Sequence, residues 1–131
     1  MDWLTHEIGL RIKHVCKGLD IPVGDLSCLA EIIPSLVIDP QGLAFDVRGQ
    51  DYIFLDHKAP AREKNWVLAH ELGHILLGHL RAGPAERNES PCGEVVYREL
   101  LADVFSTVLI ALCAYGALDN NTEGKENKYG H

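Results

Sequence analysis

The spacing of apolar side chains predicts that the chain begins with two helices. Across residues 2–17 apolar positions recur every three or four residues, and Asp2 stands where it can cap the first turn. A shorter helix is expected over residues 25–33, because Asp25 can cap its start and Pro34 cannot continue it. The first quarter of the chain is therefore predicted to be mainly helical.

The pattern changes to that of strands beyond residue 36. β-Branched and aromatic residues are interrupted there by proline and glycine, which predicts a short strand and then a hairpin with arms at 43–48 and 51–56. A long helix is expected from 61 to 80, then a polar loop, and then a second long helix from 94 to 117. This order predicts an α+β fold with N-terminal helices, a short β-sheet or hairpin and two long helices.

Length and composition limit the chain to one domain. With 131 residues, 47% of them apolar, it can build one compact core, which we assign to residues 1–118. Residues 119–131 are expected to be a flexible C-terminal tail, because they are mainly polar. The apolar run at 104–118 is shorter than the roughly 18 to 20 residues that cross a bilayer. It is predicted to be a core helix, and no membrane contact is expected.

Charge and cysteine content exclude further classes of protein. A net charge of −7 without a basic cluster argues against direct binding of nucleic acid. The N-terminus lacks the basic and apolar regions of a secretion signal, so a cytoplasmic location is expected. The four cysteines form no C-x-x-C pair, and in a reducing cytosol they are expected to be buried thiols that bind no metal.

The candidate chemistry is concentrated in "NWVLAHELGHILLGHL", residues 65–80. His70 and His74 are four positions apart, so on a helix they point within about 40° of each other and can bind one metal ion. Glu71 lies about 100° round from His70, where it can reach a metal-bound water without binding the metal itself. H-E-x-x-H arises by chance in about three of every hundred chains of this composition, so its context has to support it. The apolar helix around the motif supports a metal site, because these polar side chains would be costly to bury without a partner.

A third histidine in the same segment, His79, is predicted to stay outside the metal site. On a continuous helix it lies about 180° from His70, and it is expected to be a core or flank histidine that bonds to backbone. A metzincin site would need a glycine and a histidine where Leu77 and Leu80 stand, so that class is rejected.

The best candidate for a third ligand is Glu99, in "YRELLADVFS" on the second long helix. Asp103 falls on the same helical face and can accept a hydrogen bond from the far nitrogen of a ligand histidine. Ala102 is small enough to let the two long helices approach closely. The alternative is that both acids form a solvated edge, but the apolar helix around them favours the ligand interpretation.

The motif H-E-L-G-H, followed on the next helix by E-x-x-A-x-x-F, resembles the ImmA/IrrE family of zinc metallopeptidases over roughly residues 5–110. The resemblance implies a small zincin-like domain of the gluzincin type, with one Zn²⁺ held by His70, His74 and Glu99 and with Glu71 as the catalytic acid/base. It also implies site-specific cleavage of a helix-turn-helix DNA-binding repressor, which switches on mobile-element (prophage) or stress-response genes.

The sequence departs from the family pattern in two features that concern regulation and choice of substrate. It carries "LIALCAYG" where an "L-L-M-P"-like ending is usual. A fused helix-turn-helix or sensor domain is not expected in these 131 residues. The metal site itself conforms to the pattern.

Three protein ligands leave a fourth position on the metal for water, as in hydrolytic zinc sites. Glu71 is expected to take a proton from that water and to deliver it to the leaving amine. The arm "DYIFLD", residues 51–56, is expected to offer an exposed edge that aligns an extended peptide by strand addition, and the alternative is an ordinary structural hairpin. Four residues are candidates for a donor to the oxyanion or the cleft: Tyr52, His57, Tyr97 and His79.

Two other functions compete with the peptidase. A non-catalytic, zinc-stabilised binding or sensor module would be indicated by a degenerate catalytic position, yet Glu71 is intact. A DNA-binding partner protein is opposed by the negative charge.

Overall fold

The protein, as a computed structural model, is described over residues 2–28, 41–81 and 91–127. These residues form an α+β fold, as predicted. In chain order the elements are α1 (Trp3–Gly18), β1 (Val23–Asp25), β2 (Gly42–Val47), β3 (Gln50–Leu55), α2 (Ala61–Leu76), a 3₁₀ turn (His79–Arg81) and α3 (Pro91–Asn127).

Helix α1 lies within one residue of its predicted bounds. Asp2 caps it as expected, since its carboxylate accepts a hydrogen bond of 2.6 Å from the backbone N–H of Thr5. Ile8, Ile12 and Cys16 recur every fourth residue and are buried on one face of the helix. That face belongs to the central hydrophobic cluster of the domain.

The sheet has the order β1-β3-β2, with β1 parallel and β2 antiparallel to β3. The hairpin is confirmed one residue earlier than predicted, and Arg48 and Gly49 form its tight turn with positive φ angles. Strand β1 was not predicted, because three residues are too few to show an alternating pattern. Of the helix predicted at 25–33, Asp25 belongs to β1, residues 26–28 are helical, and residues 29–33 lie outside the described residues. The predicted strand after residue 36 also begins outside them.

Strand β3 is the centre of the sheet. Its Ile53 and Leu55 are buried in the core, whereas Tyr52 and Phe54 stack with Phe45 of β2 at ring distances of 5.7 and 5.5 Å. Both sides of β3 pair with neighbouring strands. The prediction that "DYIFLD" is an exposed edge is therefore wrong, and among the described residues the edge strands of the sheet are β1 and β2.

Helix α2 ends four residues earlier than predicted. It stops at Leu76, and Gly78, with a φ of +78°, reverses the chain before the 3₁₀ turn begins at His79. A positive φ is accessible to glycine at little cost, which makes Gly78 a natural helix stop. The prediction of one helix over 61–80 is therefore wrong at its end. The earlier end gives His79 a different position from the one that a continuous helix would give it.

Helix α3 is longer and more exposed than predicted. It runs from Pro91 to Asn127, so the predicted end at 117 is wrong, although the flexibility of 119–131 stays a prediction. By length and composition alone, its segment Val95–Asp119 could cross a membrane, so the apolar run is longer than the one predicted at 104–118. The mean hydropathy of this segment is 1.9, and only 22% of its most apolar window is buried. Ala102, Ser106 and Ala117 are buried on the inner face. The outer face of α3 is exposed, so the prediction that α3 is a core helix is wrong for that face.

The cysteines are only partly as predicted. Cys16 and Cys113 are buried. Burial raises the pKa of the Cys16 thiol to about 11, and burial also raises the pKa of the Cys113 thiol. Such thiols are protonated at neutral pH and are poor metal ligands. Cys28 is exposed, contrary to prediction, and the side chain of Cys92 lies outside the described residues.

Close contact between α2 and α3 depends on Gly73. A Cβ there would lie 3.0 Å from Cδ1 and 3.1 Å from Cβ of Phe105. We expect Gly73→Val to lower the free energy of unfolding by about 1 to 3 kcal/mol, the usual cost of overpacking a core. Gly18→Val is the control, since nothing lies within 4 Å of its Cβ position, and it should stay within about 0.5 kcal/mol. Equal midpoints in urea for the two variants would contradict this role.

Candidate metal and catalytic site

Helix α2 places His70 and His74 on one face, one turn apart. Their Nε2 atoms are 3.1 Å apart and their rings meet edge to face, with centroids 4.7 Å apart. Both side chains are mostly buried, with 16% and 13% of their surface exposed. The predicted common orientation of the two histidines is confirmed.

Glu99 of α3 completes a cluster with the two histidines. One carboxylate oxygen lies 2.9 Å from Nε2 of His70, and the other lies 3.1 Å from Nε2 of His74. One atom from each of the three side chains lies within 4.8 Å of the others, a grouping able to hold a metal ion. The residues predicted as ligands are thus brought together from two helices.

The packing of α3 on α2 produces this convergence. Ala102, one turn after Glu99, is fully buried, as its small size predicts. Ser106, buried a further turn along, donates a hydrogen bond of 3.0 Å from its hydroxyl to the backbone carbonyl of Trp66. This bond and the contact of Gly73 with Phe105 fix the separation of the helices, and with it the position of Glu99.

The three side chains fit a zinc ion. Two imidazole nitrogens and a carboxylate oxygen are a common ligand set of catalytic zinc sites. Ligands at 2.0 to 2.2 Å from a tetrahedral Zn²⁺ lie about 3.3 to 3.5 Å from one another. The observed separations of 2.9 to 3.1 Å are a few tenths of an ångström shorter than these values.

Glu71 lies beside the cluster and outside it. Burial raises the pKa of its carboxyl, an effect that Glu99 reinforces and that His70 and a backbone hydrogen bond from Ala44 of β2 oppose. Strand β2 packs closely against α2 at this point. A Cβ at Gly42 would collide with Val67 and come within 3.4 Å of Cγ of Glu71. The strand and the catalytic candidate are therefore in direct contact.

The far nitrogens of both histidines meet further side chains. Nδ1 of His70 lies 2.9 Å from a carboxylate oxygen of Asp103, close enough for an ion pair, although the angle is not that of a hydrogen bond. Nδ1 of His74 lies 2.8 Å from Nδ1 of His79, and the two nitrogens form a hydrogen bond when one of them carries a proton and the other does not. Burial lowers the pKa of His74, which favours the neutral imidazole that binds metal.

The position of His79 corrects the sequence prediction. A continuous helix would have placed it opposite His70, but α2 ends at Leu76 and the turn at Gly78 brings its ring back against His74. His79 also lines the cavity beside Glu71. Sequence reasoning could have found this from the "LLGH" segment, in which a glycine at a helix end marks a reversal of the chain.

The other three candidate donors lie away from the cluster. Tyr52 stacks on the outer face of the sheet, and Nδ1 of His57 pairs with Asp25 at 2.8 Å beside a separate cavity of about 620 Å³. Tyr97 is exposed on α3 and lies about 160° round the helix from Glu99. Of the four candidates, only His79 lines the cavity at the cluster.

A cavity of about 280 Å³ opens over the site between β2, the 3₁₀ turn and α3. Sequence reasoning missed one charged residue there, Arg98, because no motif marks the position before Glu99. Its guanidinium supplies a cation in a cavity whose other polar residues are histidines and glutamates. The lining residues are Leu43, Ala44, Glu71, His74, His79, Leu80, Val95, Arg98 and Glu99.

An α+β domain in which one helix carries H-E-x-x-H and the next contributes a glutamate to the same point has the arrangement of a small zincin-like metallopeptidase. The family profile of the IrrE N-terminal-like domain, a peptidase family, matches residues 16–110, and the chain belongs to this family. Membership indicates a metallopeptidase role and confirms the resemblance found in the motifs. No significant match to the chain was found among curated proteins or among solved structures.

Proposed function

We propose that the protein is a zinc-dependent endopeptidase, with His70, His74 and Glu99 as the ligands of one Zn²⁺ and Glu71 as the catalytic acid/base. The main support is the convergence of the three ligand atoms within 4.8 Å beside a carboxylate that is not one of them. A bound zinc ion supplies Lewis-acid chemistry, which polarises the scissile carbonyl and lowers the pKa of water.

The residues of the chain account for the proton transfers. Glu71 accepts the proton of the attacking water and then donates it to the leaving amine as the C–N bond breaks. Its raised pKa supports this double role, because a group that both takes and returns a proton works best when its pKa is nearer to neutral pH. Asp103 and His79 hold the two ligand imidazoles from behind and so fix their orientation.

An extended substrate would lie along β2. This strand pairs with β3 on one side, and within the described part of the chain no strand pairs with its other side. Leu43 and Ala44 of β2 line the cavity next to Glu71. Strand addition at this edge would therefore bring a peptide carbonyl past the ligand cluster, a role first predicted for β3.

The proposed substrate is a helix-turn-helix repressor, and the proposed setting is the cytoplasm. The motif resemblance supports this choice, and the net charge of −7 adds steering towards a basic, DNA-binding partner. We expect slow cleavage at one site in an extended linker, since only an extended segment can pair with β2. Such cleavage would derepress mobile-element or stress-response genes.

The test is to incubate the zinc-loaded protein with a repressor encoded next to it and to identify the products by mass spectrometry. We expect one cleavage site in the repressor and little digestion of casein, with Glu71→Gln as the inactive control. Efficient digestion of casein alongside an intact repressor would indicate a general protease. Inactivity on both substrates with zinc bound would support the alternative, a zinc-stabilised binding or sensor module.

Asp103→Asn and His79→Ala are each expected to weaken zinc binding by about 10- to 100-fold, the usual cost of losing a group that orients a metal ligand. Both side chains lie within 3 Å of the far nitrogen of a ligand histidine. Asp119→Asn and His6→Ala are matched controls at exposed positions of α3 and α1. Competition with a fluorescent zinc chelator gives the affinities. Unchanged affinity in His79→Ala would mean that its ring contact with His74 has no influence on the metal.

A further inference from the structure

The outer face of α3 carries a continuous, mainly apolar surface. On a helical projection its eight residues fall within an arc of about 100°, over a length of about 32 Å. Six of them are large hydrophobic side chains that are 50% to 70% exposed. We call this surface the α3 stripe, and it consists of Tyr97, Leu100, Val104, Thr107, Val108, Ala111, Tyr115 and Leu118.

The stripe is too large to be a scatter of single surface residues. A half-exposed Leu, Val or Tyr presents on the order of 80 to 100 Å² of surface, so the six large residues present about 500 to 600 Å², and Thr107 and Ala111 bring the stripe to about 700 Å². Monomeric proteins rarely expose an apolar patch beyond about 300 to 600 Å², whereas each partner of a specific interface buries about 800 Å². The area is that of one side of an interface between two proteins.

We propose that a second copy of this chain covers the stripe, in a homodimer whose two α3 helices pair antiparallel. The stripe repeats at intervals of three and four residues, the spacing with which paired helices interdigitate. The spacing of its residues is also symmetric about the point between Thr107 and Val108. In an antiparallel pair, Tyr97 therefore faces Leu118 of the partner subunit, and Leu100 faces Tyr115 of the partner subunit. A twofold axis through this centre therefore places every residue of the stripe against a stripe residue of the other copy.

The charges that border the stripe are compatible with the antiparallel orientation. The carboxylates of Glu99 and Asp103 are half exposed along one flank. Like charges that meet at an interface are repulsive, so the pairing has to keep the acids of the two copies apart. In the antiparallel pair Asp103 lies opposite Leu112 of the partner subunit, and the two pairs of acids are well separated. The stripe itself contains no charged residue.

A membrane surface is a poorer occupant of the stripe. Helices that lie in a membrane interface carry several lysines or arginines on the polar face, and between Val95 and Asp119 the one cation is Arg98. The net charge of −7 also repels anionic lipid. The opposite face of α3 is occupied by α1 and α2 of the same domain. A protein partner with the same apolar surface is the better match.

The oligomeric state tests the proposal independently of zinc and of peptidase activity. Analytical ultracentrifugation of the full chain at about 1 to 100 μM is expected to give a dimer of twice the 14.5 kDa monomer mass. Val104→Glu is expected to raise the dimer dissociation constant at least about 100-fold, because each dimer would bury two unpaired charges. Val47→Glu, at a hydrophobic residue of similar exposure on β2, is the control and should remain dimeric. Circular dichroism checks the fold, and Thr107→Lys replaces Val104→Glu if that variant does not fold.

Orientation is tested by oxidative cross-linking in a Cys28→Ser, Cys92→Ser background. Val108→Cys, at the proposed twofold axis, is expected to form a disulfide-linked dimer. Tyr97→Cys should not, since the two copies of that residue would be about 32 Å apart. Cross-linking of both variants would indicate a parallel pair and overturn the antiparallel arrangement.

A wild-type monomer at all concentrations, or a dimer insensitive to Val104→Glu, would overturn the interface. A monomer that binds phosphatidylcholine and phosphatidylglycerol vesicles through the stripe would assign it to a membrane instead.

Discussion

Glu71→Gln is expected to leave zinc bound and the fold unchanged while it reduces peptide cleavage by about 10²- to 10⁴-fold, the range supplied by a general acid/base. The amide has nearly the shape of the carboxylate, so the packing against β2 is preserved. It cannot accept a proton from water. Single-turnover cleavage of the repressor, measured with equal zinc content in both proteins, gives the ratio of rates.

The matched control for this variant is Glu63→Gln, on the first turn of the same helix. Glu63 is exposed and accepts a hydrogen bond from Gln41 on the surface, away from the cluster. Its replacement should leave the rate within about twofold of the parent, as expected for a surface position. If Glu71→Gln cleaved as fast as Glu63→Gln, another group would have to be the base.

His70→Ala, His74→Ala and Glu99→Ala are each expected to lower zinc affinity by more than about 100-fold, beyond the effect of losing a group behind a ligand. Each replacement removes one of three atoms that lie within 4.8 Å of one another. Zinc content after dialysis against a weak chelator, measured by plasma mass spectrometry, should fall from about one ion per chain to near zero.

Glu99→Ala is the most informative of the three, because Glu99 is half exposed and comes from a different helix. His14→Ala, at an exposed position of α1, controls for the loss of a histidine elsewhere. Full zinc content in Glu99→Ala would remove Glu99 from the ligand set and leave only the two histidines of α2. Loss of zinc in His14→Ala would indicate a general loss of fold.

The proposed dimer and the proposed metal site lie on adjacent faces of α3. Glu99 and Asp103 point to the cluster from one flank, and the stripe begins on the neighbouring face. Pairing of two α3 helices would thus shield the half-exposed carboxylates from solvent without entering the cavity beside β2. The substrate edge and the dimer surface can be occupied together.

The sequence by itself determined the elements whose information is local. The four-residue spacing of His70 and His74 places both on one face of any helix, and Glu99 and Asp103 share a face for the same reason. Capping by Asp2 and the hairpin turn at Gly49 depend on neighbouring residues, so both elements could be predicted to within one residue. The motif on two successive helices was enough to indicate the family.

Only the tertiary structure decided features that depend on residues far apart in the chain. Strand β1 exists because β3 offers it backbone partners, and that same pairing makes β3 central and leaves β2 as the edge beside Glu71. The reversal at Gly78 changes the direction of the chain, so helical periodicity could not place His79 against His74. Periodicity also could not tell which side of the apolar α3 is covered, because an apolar residue has the same pattern whether its neighbour is α2, a second chain or water.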